Sequence, residues 1–176
     1  MADRDLRHQL LLDALNARVL CLDGAMGTML QQAGLTPDDF GGPALEGCNE
    51  NLSRTRPDVI LNVHRAYLEA GADIIETNTF GSSRIVLAEY GLENDAYGLS
   101  RRSAELARQA AGEFSTADRP RFVAGSMGPT TKAITVTGGV TFGELSEAYY
   151  EQARGLAEGG ADILVFETVQ DTRNAK

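Results

Sequence analysis

Three observations predict a parallel α/β fold of the (β/α)8 TIM-barrel type, with these 176 residues supplying about its first half. Short apolar segments recur at intervals of roughly 40 to 50 residues, the size of one βα unit. Residues at helical spacing fill the intervals. The phrase Glu69-Ala70-Gly71-Ala72-Asp73-Ile74-Ile75 returns as Glu158-Gly159-Gly160-Ala161-Asp162-Ile163-Leu164, each time carrying a helix end into a strand.

Four parallel strands are predicted: Arg18 to Asp23, Ala72 to Asn78, Arg121 to Met127 and Ala161 to Thr168. All are short and apolar, as strands covered on both faces are. Before the second, Pro57 opens a helix in which Val59, Val63, Ala66 and Ala70 share a side and Gly71 supplies the stop. Leu99, Ser103, Leu106 and Ala110 mark the next helix by a stripe small enough for close packing. The last helix opens on Thr141-Phe142-Gly143-Glu144, a capping-box pattern, and stops at Gly159-Gly160. Four strands are half of eight, and the chain ends at Asn174-Ala175-Lys176, where a helix is due. Truncation of one barrel domain running through residues 1–176 is therefore expected. A complete flavodoxin-like sheet and a dimer of half-barrels are the alternatives. A half-barrel would leave the edges and apolar faces of its outer strands in need of cover.

Composition narrows the function classes. A net charge of −9 with scattered Lys and Arg argues against a phosphate-neutralising nucleic-acid binder. Apolar runs fall well short of the ~18 residues of a membrane span, and Ala2-Asp3-Arg4-Asp5 is no signal peptide. An acidic cytoplasmic protein is expected. Cys21 and Cys48 form no Cys-x-x-Cys arrangement and are read as free thiols; His8 and His64 are read as ordinary helix residues.

In such barrels the chemistry lies where the strands end at their C-terminal side. Strand one ends at Asp23 and turns at once through Gly24-Ala25-Met26-Gly27-Thr28. Period-two alternation groups Val19, Cys21 and Asp23 towards the barrel interior and leaves Leu20 and Leu22 for the helices. The turn's free N–H groups suit an anion; the competing reading is a plain strand-end Asp in a glycine-rich turn. Its glycine spacing is not a dinucleotide fingerprint. Strand four groups Ile163, Val165 and Glu167 inward and sends Leu164 and Phe166 under helices. An unpaired buried carboxylate costs several kcal/mol, so Glu167 needs a cationic partner. Aligning the echoed phrases places Asn78 at the level of Glu167, with Glu76 one step deeper in a structural hydrogen-bonding role. In the third strand, Gly125 and Gly128 bring backbone close to the cavity or shape the turn. Asp23 and Glu167 beside an anion-holding turn suit a zwitterionic amino acid, with its ammonium on the acids and its carboxylate on the Gly24 and Ala25 amides.

Five phrases, in order and at similar spacing, resemble the homocysteine-binding domain of the cobalamin-dependent methionine synthases. They are Leu22-Asp23-Gly24-Ala25-Met26-Gly27-Thr28, Gly47-Cys48-Asn49-Glu50, Glu69 through Phe80, Gly128-Pro129-Thr130 and Phe166-Glu167-Thr168. The resemblance implies methyl transfer from methylcobalamin, recharged by methyltetrahydrofolate, to the sulfur of homocysteine. It also implies that Asp23 and Glu167 hold the amino group and that the Gly24-Ala25 turn receives the carboxylate; Asn78 and Thr79 complete the predicted substrate-binding residues. Folate and cobalamin modules and the remaining barrel half are the implied partners. The family activates the thiol on zinc held by three cysteines. Neither Cys21 nor Cys48 matches those positions, so the zinc ligands are expected outside this chain and the 176 residues alone are expected to be inactive. A homocysteine methyltransferase using betaine or S-methylmethionine is the nearest rival, since it shares the barrel and acidic mouth. A sugar-phosphate or aldolase-type barrel lacks support, having no strand-end lysine for a Schiff base. A non-catalytic fragment that binds a partner through its open edge is a third reading.

Overall fold

The computed structural model describes residues 2–135, 138–169, 171–173 and 176, without the side chains of residues 2–4. Three parallel strands lie side by side in chain order: β1 (Ile74–Glu76), β2 (Phe122–Met127) and β3 (Ile163–Phe166). The helices are α1 (Ala2–Ala17), α2 (Met26–Gln32), α3 (Leu52–Thr55), α4 (Pro57–Ala70), α5 (Arg84–Leu87), α6 (Ala96–Phe114) and α7 (Phe142–Gly159), joined in places by short 3-10 turns. The predicted strand Arg18 to Asp23 is reduced to one parallel bridge, Leu22 to Ile74. Its first residue is spent finishing α1, through Arg18 N–H to Ala14 O at 3.0 Å. Among the described residues its ladder-type backbone bonds run to the β1 side: Asp73 and Ile74 donate to Cys21 O, and Asp23 donates to Ile74 O. A segment held on one side has half the ladder of an inner strand.

Helix boundaries follow the local signals. Pro57 occupies the first turn of α4, where its missing N–H costs nothing, and Gly71 ends the helix at φ 108°. Thr141 and Glu144 form the reciprocal capping box of α7. Of the two glycines read as its stop, Gly160 alone takes the left-handed conformation, at φ 103°; Gly159 is still helical, and its role is close packing.

Register separates the two sheet faces. Ile74 pairs with Phe122, Glu76 with Ala124, Ala124 with Ile163 and Met127 with Phe166. Ile75, Val123 and Met127 lie under the outer helices in a cluster with Leu68, Ala104, Ala107 and Leu156. Ile74, Phe122 and Ala124 form the inner face, which Leu11 of α1 covers and against which Leu20, Ile163 and Val165 pack. The inward placement of Leu20 corrects the alternation expected for strand one. Leu22 pairs with inward-facing Ile74, and α1 offers Leu20 an apolar partner inside. On β3 the alternation holds, but Leu164 and Phe166 remain 42% and 49% exposed, so the described helices cover them only in part. Phe166 does meet Tyr149 edge-on, with ring centroids 5.6 Å apart.

The echoed phrase has a structural meaning. Asp73 donates its N–H to Cys21 O at 2.8 Å, and its carboxylate accepts the Cys21 N–H at 3.0 Å. Asp162 repeats the clasp on the next strand, donating to Val123 O at 2.8 Å and accepting Val123 N–H at 2.8 Å. Each aspartate thus sets the register of its strand against the preceding one. Arginines hold each carboxylate from below: Arg18, Arg119 and Arg121 on Asp73, Arg7 and Arg108 on Asp162.

Candidate functional site

A cavity of about 260 Å³ opens at the C-terminal ends of the strands. Its walls come from the turn Gly24-Ala25-Met26-Gly27, from Asn49 and Glu50, from the end of β1 onwards (Glu76 to Phe80), from Ser126 of β2 and from Glu167 just past β3. Parallel strands that all point their C-terminal ends one way bring these distant segments together.

Glu167 faces the cavity, as its alternation on β3 requires. Ser126 Oγ donates to its Oε1, and no described residue pairs with its second oxygen. Gly24 and Ala25 line the opposite wall. Asp23 sits behind that wall: its Oδ1 accepts the Glu76 N–H at 2.9 Å, so it braces the turn against β1. Burial pushes its carboxyl up to about 7, the Glu76 N–H opposes that, and the Glu76 and Glu167 charges push it up further. Asp23 and Glu167 are therefore close enough to sense each other.

Asn78 and Thr79 also line the cavity, but their side chains are committed to the protein. Asn78 Nδ2 donates to Asn49 O at 2.7 Å and to Ser53 Oγ at 3.4 Å. Thr79 Oγ1 donates to Ser126 O at 2.7 Å and stands 2.6 Å from Thr77 Oγ1. Both fasten the β1 end to its neighbours, and Gln152 Nε2 adds a bond to Thr79 O at 2.8 Å.

Two acids escape sequence reasoning. Glu76, expected to be a structural hydrogen-bonding group, turns its side chain into the cavity, and only its backbone is engaged. Its inward side agrees with the alternation that also places Asn78, and its pairing with Ala124 on the inner face repeats it; what was missed is that no described donor engages the carboxylate. Burial raises its pKa first and the Glu167 charge second. Glu50 enters from the 3-10 turn after Cys48, where no periodicity marks an orientation; its Oε1 accepts the Gly81 N–H at 2.8 Å, and burial pushes its carboxyl up. Gly128 makes the close approach expected of a glycine there: a Cβ would stand 2.6 Å from Phe80 O, on the cavity wall.

Asp23 has a stability signature. Its folded pKa, about 7, lies above the usual ~3.9 of an unfolded aspartate. The folded state thus binds the extra proton between those limits, and stability falls as pH rises from about 4 to 7. Asp23→Asn keeps the acceptor for Glu76 and removes the charge. The variant is expected to be more stable than wild type by ~1–2 kcal/mol at pH 8 and equal to it at pH 4, read by thermal unfolding at the two values. Equal stability at both would show that Asp23 is not desolvated in this way.

No three His, Cys, Asp or Glu side chains among the described residues are grouped as a metal requires. Cys21 is exposed, while Cys48 is buried and its thiol is pushed up to about 11, far from a thiolate at neutral pH. His64, fully buried in α4, is held neutral by burial, with its pKa lowered to about 4. The described residues do not make a zinc site. Nor is any described helix long and apolar enough to cross a membrane.

The cavity is thus acidic, lies at the strand ends of a parallel α/β sheet and is flanked by a glycine turn. The homocysteine S-methyltransferase family matches residues 20–176, and the chain belongs to that family. It is 49% identical to a methionine synthase of Mycobacterium tuberculosis over 175 residues, which cover 99% of this chain and 14% of that protein. A methionine synthase of Mycobacterium leprae is likewise 49% identical, over 94% of this chain and 14% of its own length. The chain thus spans about one seventh of these relatives. Among solved structures it is similar to the homocysteine methyltransferase MmuM from Escherichia coli. The oxidized form gives a TM-score of 0.74 at 25% identity, covering 91% of this chain and 56% of that one. The metallated form gives 0.73 at 25% identity over 91% and 57%.

Proposed function

We propose that this chain is the N-terminal part of a homocysteine-binding barrel and that the protein carrying it makes methionine by S-methylation. The carrying observation is the cavity itself: Glu167 lines it across from a turn whose Gly24 and Ala25 N–H groups take no partner among the described residues, and Asp23 stands behind that turn, where the Glu167 charge still acts on it. A zwitterion with a short side chain fits that polarity. The ammonium sits among the acids, the carboxylate takes the turn amides, and the thiol points away from both. Asn78 and Thr79 serve the same site by holding the β1 end in place.

In the reaction the homocysteine thiol loses its proton, its sulfur forms a bond to the donor's methyl carbon, and the bond from that carbon to the donor breaks. The chain's own part is binding and orientation. Thiol activation on zinc needs donors beyond those described here, as the resemblance already implies. The 49% identity to methionine synthases favours methylcobalamin as donor, with methyltetrahydrofolate behind it and further modules as partners. The structural likeness to a homocysteine methyltransferase at 25% supports the reading without cobalamin less strongly. The coverage of 56% of that solved chain, with β3 at the sheet edge, supports a barrel whose first segment is the Leu22 bridge and whose other half lies elsewhere. Unpaired Cys21 and Cys48 fit a cytoplasmic setting.

Titration calorimetry of homocysteine into the full-length protein tests the site. Asp23→Ala and Glu167→Ala are each expected to weaken binding about 10- to 100-fold, the loss of a charge-assisted contact. Wild-type affinity in both variants would overturn the assignment. The isolated 176 residues, supplied with methylcobalamin and zinc, are expected to show no turnover; measured turnover would place thiol activation within this chain.

A further inference from the structure

Two acids outside the proposed amine clamp line the cavity, Glu50 and Glu76, and of these Glu76 has no structural work. Glu76 lines the cavity together with Glu167. Its carboxylate takes no hydrogen bond or ion pair from any described residue, whereas the nearby Asp23 Oδ1 is spent on the Glu76 N–H and Glu167 Oε1 on Ser126. The charged and titratable groups facing Glu76 are Asp23 from the first strand-like segment and Glu167 from β3; Glu50 lines the same cavity from the opposite turn. All are acids. A half-buried carboxylate with only like charges around it lowers the stability of the empty protein and persists where a cation is to be met.

We infer that Glu76 is a third substrate-binding residue, which completes with Asp23 and Glu167 a three-acid cradle for the ammonium of the amino-acid substrate. This rests on the amino-acid reading of the cavity. A primary ammonium carries three N–H donors and no acceptor, and the chain offers one carboxylate from each of three strand-end positions. Glu76 lines the cavity at the level of Ala124 and Glu167 lines it beside Ser126; Asp23, whose Oδ1 holds the Glu76 N–H behind the turn, would supply its other oxygen. The cradle selects for a free amine: a substrate without one leaves the acids facing each other.

The test uses the full-length protein, with homocysteine and 4-mercaptobutanoate, its analogue without the amine, as titrants. Both keep the thiol, so any contact at sulfur cancels in the comparison. Glu76→Gln keeps shape and removes charge. The expected result is a homocysteine Kd raised about 10- to 100-fold, with the analogue changed less than about 3-fold. The empty Glu76→Gln protein is also expected to melt above wild type, because a repelled charge has gone; a residue that merely supports the fold would lower the melting temperature. Unchanged homocysteine binding in Glu76→Gln, while Glu167→Gln loses it, would overturn the third contact and leave the amino-acid reading standing. Equal losses for homocysteine and the analogue would overturn it as well, by showing that Glu76 only shapes the cavity. Wild-type protein that does not bind homocysteine would overturn both.

Discussion

Asp73→Ala is expected to destabilise the fold by ~3–5 kcal/mol, a large share of the ~5–15 kcal/mol that holds a domain of ordinary stability together. Asp73 is 2% exposed and takes Arg18 at 2.7 Å, Arg119 at 3.3 Å and Arg121 at 3.4 Å, besides the Cys21 N–H at 3.0 Å. Arg18 and Arg119 are exposed enough to recover water when the carboxylate is removed. Arg121 is only 7% exposed, and its guanidinium, already disfavoured by burial, would be left with an uncompensated charge. The Cys21 amide would lose its partner too, loosening the one bridge that ties the first segment to the sheet. The Arg18 guanidinium holds the Asp73 carboxyl well below the usual carboxylate range. Its stabilisation is therefore complete above about pH 4, the unfolded value, and is lost as pH falls below that. Urea unfolding at pH 7 and pH 3 should show a wide gap between wild type and variant at the first and a narrower one at the second. A loss under about 1 kcal/mol at pH 7 would show that the arginines find other partners. Asp162→Ala should cost less, because Arg7 and Arg108 are 25% and 24% exposed and can turn to solvent.

Gly159→Ala is expected to lower stability by ~1–3 kcal/mol although alanine is the better helix former. Helical propensity alone favours the alanine by about 1 kcal/mol. Packing opposes it: a Cβ at Gly159 would stand 2.4 Å from Arg101 O and 2.7 Å from Ala104 Cβ. Backbone oxygen cannot swing aside as a side-chain tip can, so α6 and α7 must separate. Their separation opens the cluster in which Ala104, Ala107, Leu156 and Val123 meet. Gly155 makes the same approach one turn earlier, 2.6 Å from Tyr97 O, so Gly155→Ala should add a loss coupled to the first. Thermal unfolding decides the sign. A melting temperature above that of wild type would mean that propensity wins and that the two helices have room to move.

Much of the site was legible because strand residues alternate. Glu167 could be aimed into the mouth from Ile163 and Val165 alone, and β3 bears that alternation out. The same rule failed on the first segment, where Leu20 packs inside. Alternation tells which residues share a face but not which face is inner; there the covering helix α1 decided it. Glu76 was placed on the right side, one step below Asn78, but its role was misjudged, because whether a donor reaches its carboxylate depends on neighbours far apart in sequence. Asn78 and Thr79 line the cavity, yet nothing in the chain order tells that Asn49 O and Ser126 O take up their polar atoms.

By itself the sequence determined the parallel α/β class, the caps that start and stop α4 and α7, the repeated helix-to-strand phrase and the family. These are local or periodic properties, written in neighbouring residues. Only the tertiary structure decided that the repeated aspartates clasp adjacent strands, that Gly159 serves helix packing, and that the Glu76 carboxylate meets no described donor while Asp23 stands behind the cavity wall. Each of those depends on which distant backbone comes alongside, and strand register and helix cover set that only once the chain has folded.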